Sequence, residues 1–162
     1  VWESRDLPRA EWTPVGPSSY ELLYRSGAGL TPRPLRRIAS GGELSRVMLA
    51  SKVVLGNADG VDTLVFDEVD AGVGGSTARA LAGVLADLAS THQVIVVTHL
   101  AQVAVMADKH YVVSKEPGDV PQTHLDEVIG EARTAEIARM LSGDQSEASL
   151  AHAKQMLEEA RG

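Results

Sequence analysis

Two acidic residues stand directly behind a short apolar run in the middle of the sequence. Asp67 and Glu68 follow residues 64–66, and the run predicts a buried strand whose carboxyl end meets solvent. Asp67 offers the oxygen ligands that a hydrated Mg²⁺ prefers, and Glu68 could orient or polarise a water molecule. Neighbouring strand residues point to opposite faces, which predicts separate tasks for the two carboxylates. Taken alone, the pair is more simply a solvated strand end.

A histidine occupies the matching position behind a second apolar run. Thr98 and His99 follow residues 94–97, which also predict a buried strand. Ligands of open α/β sheets bind beyond the carboxyl ends of the strands, so two neighbouring strands would present carboxylates and an imidazole to one site. His99 could then donate a hydrogen bond to a transferring phosphoryl group. A lone histidine is more often structural, so the convergence of the two strand ends carries the argument.

A glycine-rich motif precedes a predicted helix. Ser40, Gly41, Gly42 and Glu43 leave backbone N–H groups exposed where the helix dipole favours an anion, which predicts a phosphate-binding site. The alternative is a capping box, with Ser40 as N-cap and Glu43 as its reciprocal partner. Both interpretations can hold together, because a capped helix start still offers N–H groups to a ligand.

The elements that would position these residues alternate between strands and helices. Residues 1–18, interrupted by three prolines, are predicted to be irregular. Strands are predicted over residues 19–25, 63–66, 93–98 and 111–114. Helices are predicted from Glu43 to a stop at Gly56 and Asn57, over residues 76–89, through Met106, and around residues 137–141 and 150–157. The order predicts a single α/β domain with a largely parallel sheet flanked by helices.

The composition excludes several classes of protein. A chain of 162 residues with 44% hydrophobic residues can bury one core, and zero cysteines exclude a disulfide framework and thiolate metal sites. The net charge of -7 argues against strong non-specific binding to a phosphate backbone by this chain alone. The densest basic stretch, Arg33, Arg36 and Arg37, is more simply a solvated surface. No apolar run approaches the roughly 20 residues of a membrane span, which predicts a cytoplasmic protein without a membrane partner.

The three motifs, taken in order, resemble those of ABC-type ATPases. Residues 40–46 resemble the signature motif, residues 64–70 resemble Walker B with the D-loop, and residues 97–100 resemble the switch-histidine segment. Glu43 stands where transporters usually carry glutamine and so resembles the SMC-like branch. Residues 66–75, 98–104 and 112–115 resemble the RecN family within that branch, and the match runs from about Tyr20 to the end of the chain.

The resemblance implies that residues 19–162 form the carboxy-terminal half of a head domain that uses ATP and Mg²⁺. A second, ATP-engaged head and an upstream half that carries Walker A would be its partners. It also implies a cytoplasmic, nucleoid-associated role in recombinational repair of DNA double-strand breaks, with DNA contacted through the full-length protein. By this resemblance Ser40, Gly41 and Gly42, with Glu43 in the same motif, would contact the γ-phosphate of ATP bound to the second head. Asp67 would bind Mg²⁺, and Glu68 would bind the attacking water. His99 would contact the phosphoryl group, and Asp70 would lie at the interface between heads.

The sequence lacks two features of the complete family architecture. It has no G-x-x-x-x-G-K-[ST] phosphate loop and no coiled-coil heptads, so the piece alone is expected to be inactive. Three alternatives remain at this point. They are an ABC transporter ATPase subunit, a non-catalytic head fragment, and a Mg²⁺-dependent nuclease whose acidic site comprises Asp67, Glu68 and Asp70.

Overall fold

The fold combines seven strands and five helices within the described part of the chain. The structure is a computed structural model that describes residues 2–37, 40–56, 60–116 and 122–160, so Asn57 of the predicted helix stop lies outside the described residues. The strands are β1 Trp2–Asp6, β2 Ser18–Tyr24, β3 Arg33–Pro34, β4 Thr63–Phe66, β5 Gln93–Val96, β6 Tyr111–Glu116 and β7 Gln122–Glu127. The helices are α1 Gly41–Leu55, α2 Gly75–Ala89, α3 Ala101–Ala104, α4 Gly130–Ser142 and α5 Glu147–Glu159, with single 3-10 turns at Arg9–Glu11 and Leu35–Arg37.

β4 and β5 form a parallel pair in which Thr63 is opposite Gln93 and Phe66 is opposite Val96. The connection between them runs through α2, as a parallel pair requires, because its strands need a crossover of a dozen or more residues. The other described strands pair antiparallel, in a β1-β2-β3 sheet and a β6-β7 hairpin. The predicted α/β class is confirmed, and parallel pairing is confined to β4 and β5 among the strands that the structure describes.

Described residues cover one face of the β4–β5 pair and leave the other face exposed. Leu64 and Phe66 are buried, whereas Val65 is 65% exposed and Ile95 is 47% exposed. Parallel strands are normally buried on both faces, and their apolar runs reflect this. The prediction of a buried strand therefore holds for the face that packs on the helices and is wrong for the opposite face.

The covered face packs on α2 and α1. Each buried leucine of this core contributes about 1.5–3 kcal/mol relative to an exposed one. The turn before α2 places Gly72 at φ 71° and Gly75 at φ 56°, a region that glycine adopts without a steric penalty. The predicted apolar face of α2 is confirmed, since Ala78, Leu81, Ala82, Leu85 and Leu88 are all buried.

The last three helices form a second core. α3, α4 and α5 bury Ala101, Ala104, Val105, Ile137, Ala138, Ala153 and Leu157 against one another. α4 ends at Gly143 in the left-handed conformation, whose N–H donates to the carbonyl of Arg139 over 2.8 Å. Ser146 caps α5 by accepting from the N–H of Ser149. The two predicted closing helices are confirmed, and both begin earlier than their most apolar residues.

Three strands were not predicted, and one of them, β3, has only the two residues Arg33–Pro34. β1 lies inside the segment predicted to be irregular. It pairs with β2, with Trp2 opposite Leu22 and Asp6 opposite Ser18. β7 is polar except for Leu125, which is 65% exposed. Neither β1 nor β7 shows the alternation that marks a half-buried strand, and both are stabilised by their pairing with a neighbour. Among the described residues, no helix is both long and apolar enough to cross a bilayer.

Candidate functional site

The exits of β4 and β5 lie side by side, and residues 67–71, here called the acidic turn, follow β4. The N–H of Val97 donates to the carbonyl of Phe66 over 2.9 Å, which extends the parallel pairing to the strand ends. Glu68 has φ 56°, a left-handed conformation that few residues other than glycine adopt. Because β4 ends at Phe66, strand alternation does not set the directions of Asp67 and Glu68, and that part of the prediction is wrong. Both side chains are nevertheless exposed at the strand end.

Asp70 joins the two strand exits. It is only 2% exposed, and its Oδ2 atom accepts from the Thr98 hydroxyl and from the backbone N–H of His99 over 3.2 Å. The Nδ1 atom of His99 lies 3.3 Å from the same oxygen. A buried carboxylate is tolerated when donors compensate its lost hydration, and these contacts supply them. The sequence did not predict this burial of Asp70.

His99 is held on one side and open on the other. With Nδ1 facing Asp70 and the side chain 70% exposed, Nε2 is the ring nitrogen left for solvent or a ligand. The adjacent Thr98 hydroxyl also accepts from the N–H of Leu100 over 3.0 Å, so its single proton is directed to Asp70. The imidazole of His99 therefore lies beside the residues that follow β4, as predicted, and it contacts them through Asp70.

The start of α1 packs on the acidic turn. Ser40 accepts from the N–H of Glu43 over 3.4 Å, as the predicted N-cap should. A Cβ atom at Gly41 would lie 2.6 Å from Oε2 of Glu68, so this carboxylate reaches the first turn of α1, where the helix dipole favours negative charge. A Cβ atom at Gly42 would lie 2.7 Å from the carbonyl oxygen of Glu68 and 2.8 Å from the Cβ of Ala71. The glycines thus permit the close approach of two segments within one chain.

Two further residues of the same motif hold the acidic turn. The Ser45 hydroxyl donates to the carbonyl of Asp67 over 2.7 Å. Nη1 of Arg46 donates to the carbonyls of Val69 and Ala71 over 3.1 and 2.9 Å. Neither residue was among the predicted site residues. Their spacing was a usable signal, because each lies four residues after a glycine of the motif and therefore on the same face of the helix.

The three carboxylates that follow β4 lie in two different environments. Asp67 and Glu68 are exposed carboxylates at one strand exit, a set that suits a Mg²⁺ ion that keeps several of its waters. Asp70 faces Thr98 and His99, so the three-carboxylate site of the nuclease alternative is not assembled. In the described ranges, no group of three or more His, Asp or Glu residues is arranged to hold a metal ion.

Two cavities lie away from the strand exits. One of about 280 Å³ lies at the other end of β5 and is lined by Lys52, Val53, Gly56, Val84, Asp87, Leu88, Ser90, Thr91 and His92. A smaller cavity of about 150 Å³ lies before α4. Neither includes residues 40–43 or the acidic turn.

A second histidine marks the α3–α4 junction, formed by Ala104, Val105, Ala107, His110 and Arg133. Nη2 of Arg133 donates to the carbonyls of Ala104, Val105 and Ala107 over 3.2, 3.3 and 2.6 Å. Burial lowers the pKa of His110, the charge of Arg133 lowers it further, and Glu136 opposes both effects. Within the described residues, Nδ1 of His110 is buried without a hydrogen-bond partner. This junction is structural and lies outside the predicted site.

Comparisons with known proteins identify related sequences. The chain is 52% identical over 146 residues to DNA repair protein RecN of Treponema pallidum, covering 89% of this chain and 26% of that protein. It is 51% identical over 149 residues to DNA repair protein RecN of Deinococcus radiodurans, covering 91% and 26%. It is 49% identical over 150 residues to the RecN of Streptomyces coelicolor, again covering 91% and 26%. No protein-family model matches the chain.

The fold also has a counterpart among solved structures. The Smc head domain with a coiled coil and joint from Pyrococcus yayanosii matches 99% of this chain and 26% of that chain, with a TM-score of 0.55 and 21% identity. This likeness shows that the α/β arrangement is of the kind found in Smc heads. The chain spans about a quarter of the length of the curated relatives that it matches.

Proposed function

The chain is similar to DNA repair protein RecN over nine tenths of its own length, and on that premise we propose that it is part of an ATP-hydrolysing, SMC-like head. In this proposal it forms the carboxy-terminal half of the head and supplies the signature motif, Walker B, the D-loop and the switch histidine. The complete protein acts in recombinational repair of DNA double-strand breaks.

The convergence of the acidic turn, His99 and the start of α1 is the observation that carries the proposal. Glu68 lies at the β4 exit with an exposed carboxylate, in a position to orient water. His99 leaves Nε2 open for a phosphoryl oxygen. When bound, Mg²⁺-ATP supplies the bond to be broken and the cation that neutralises developing charge. In the proposal Asp67 holds that cation through its carboxylate.

The signature residues complete a second nucleotide site. Ser40, Gly41 and Gly42 offer the first backbone N–H groups of α1, which suit the γ-phosphate of ATP bound mainly to another head. The lack of a G-x-x-x-x-G-K-[ST] sequence supports a composite site. We therefore infer two partners, an upstream half with Walker A and a second ATP-engaged head.

Hydrolysis of Mg²⁺-ATP by the reconstituted head tests the proposal. The chain would be assayed alone and after co-expression with a RecN segment that carries Walker A. We expect turnover only in the complex. Glu68→Gln should lower kcat by about 100-fold or more, because a positioned acid or base commonly contributes 10²–10⁴-fold. Nucleotide binding, measured with labelled ATP, should be retained. Glu131→Gln, an exposed acid in the first turn of α4, is the matched control and should leave turnover unchanged.

The possible failures separate the alternatives. A folded complex that binds ATP and never hydrolyses it would favour a non-catalytic head fragment. Turnover that survives Glu68→Gln would remove Glu68 from the reaction. Strand cutting with Mg²⁺ and without ATP would favour the nuclease. The repair role is tested by survival after double-strand breaks, which a full-length protein carrying Glu68→Gln should fail to restore.

A further inference from the structure

We propose that Asp70 is a positioning residue for His99 and that its buried carboxylate selects the ring tautomer with the proton on Nδ1. The inference rests on the proposed function, because it concerns how His99 would meet a phosphoryl group or water. It gives Asp70 a role within its own chain, in addition to any contact with a second head.

The contacts of Asp70 hold both the backbone and the ring of His99. One oxygen, Oδ2, accepts from the His99 N–H over 3.2 Å and lies 3.3 Å from Nδ1 of the same residue. Because the backbone N–H and Nδ1 of His99 both contact Oδ2 of Asp70, the side-chain torsions of His99 are restricted. The ring is therefore oriented although 70% of the side chain is exposed.

The carboxylate itself is immobilised. Asp70 is 2% exposed, and the Thr98 hydroxyl donates to the same Oδ2. Nη1 of Arg46 holds the carbonyls of Val69 and Ala71, which flank Asp70 on both sides. An acceptor fixed at backbone and side chain is suited to orient another group, because it does not move when that group binds a ligand.

The tautomer follows from the acceptor. A neutral imidazole carries one proton, and a carboxylate oxygen 3.3 Å from Nδ1 favours that proton on Nδ1. The outward Nε2 of His99 then accepts a hydrogen bond when the ring is neutral and donates one only when the ring is doubly protonated. A phosphoryl contact by Nε2–H therefore uses the charged ring, and a water contact uses the neutral one.

Nitrogen NMR of the histidine rings tests the inference on the chain alone, without nucleotide. Spectra of ¹⁵N-labelled protein at about pH 8.5, where an unperturbed histidine is neutral, distinguish the two tautomers. We expect His99 to be mainly Nδ1–H, opposite to the preference of a free histidine. Asp70→Ala should return His99 to mainly Nε2–H. Asp70→Asn should keep Nδ1–H, because its amide oxygen can take the place of Oδ2. Asp126→Ala, in the exposed part of β7, is the carboxylate control.

Two outcomes would overturn the inference, namely a wild-type His99 that is mainly Nε2–H, or an unchanged tautomer in folded Asp70→Ala. The wild-type spectrum decides the matter even if Asp70→Ala does not fold. In the reconstituted head, Asp70→Ala should change kcat when His99 is present and should have a smaller effect in a His99→Ala background. If no reconstituted head hydrolyses ATP, the proposed function is wrong. The NMR spectra still decide the tautomer of His99, because they are recorded without nucleotide.

Discussion

The two histidines on either side of α3 are held in opposite ways. His99 precedes the helix, is largely exposed, and has a buried carboxylate at Nδ1. His110 follows the helix, and its Nδ1 is buried without a partner among the described residues. Burial lowers the pKa of His110, which keeps that ring neutral inside the fold. The same residue type is thus exposed to solvent in one region and partly buried in the other.

The two regions share one device, an arginine that donates to backbone carbonyls. Arg46 on α1 holds the acidic turn, and Arg133 on α4 holds the end of α3. Guanidinium groups suit this task because they carry several donors in a fixed geometry. The difference lies in what each arginine supports. Arg46 supports the segment that carries Asp70, whereas Arg133 supports a junction without a predicted ligand site.

The largest effect on stability is expected at the α3–α4 junction. Arg133→Met should lower the free energy of unfolding by about 3 kcal/mol, because hydrogen bonds from a charged donor to three carbonyls are lost. Urea unfolding at pH 7.5 measures the change. The control, Arg139→Met, breaks a partly exposed ion pair with Glu136 on the same helix and should cost less than Arg133→Met. Equal losses in the two variants would contradict the structural role of Arg133.

A smaller effect is expected where α1 meets the acidic turn. Gly42→Ala should cost about 1–3 kcal/mol, because its Cβ would meet the backbone of Glu68 and the Cβ of Ala71, which cannot move separately. Gly41→Ala would meet only the end of the Glu68 side chain, which can rotate away, so its cost should be near zero. Thermal unfolding of both variants provides the comparison. A Gly42→Ala protein as stable as Gly41→Ala would show that the turn is not held closely.

The smallest effect is a dependence of stability on pH. Because the pKa of His110 is lowered in the folded chain, the unfolded chain takes up a proton first as the pH falls below about 6.5. The contribution of His110 is therefore complete above that pH and is lost on acidification. His110→Gln should reduce the change in the free energy of unfolding between pH 7 and pH 5. That window avoids the titration of Glu136, whose pKa is lowered by its bond to Arg139. Identical slopes in the two proteins would contradict the difference between the histidines.

The sequence predicted the elements whose local pattern agrees with their packing. The apolar face of α2 and the exits of β4 and β5 were predictable from periodicity and run length. The bond between Asp70 and His99 was not, because the residues are 29 apart in the chain. Their meeting depends on the left-handed conformation at Glu68, for which the residue type gives no signal. The exposure of Val65 was not predictable either, because it depends on which elements pack on that face of the strand.

The sequence also left β1 and β7 unpredicted for a single reason. Both are polar segments whose strand conformation comes from the partner strand, Ser18–Tyr24 for one and Tyr111–Glu116 for the other. The ends of β4 and β5 were easier to predict than these strands, because an apolar run that stops at a polar residue marks a strand end. Residue roles at the site nevertheless required the geometry, as Ser45 and Arg46 illustrate.

The bonds from α1 to the acidic turn end on carbonyl oxygens, which every amino acid possesses. Ser45 and Arg46 therefore hold residues 67, 69 and 71 whatever side chains these positions carry. In evolutionary terms, substitutions in the turn leave these three bonds in place, whereas substitutions at Gly42, Ser45 or Arg46 do not. Such a division lets the side chains of the turn vary one at a time while the helix preserves the shape of the turn.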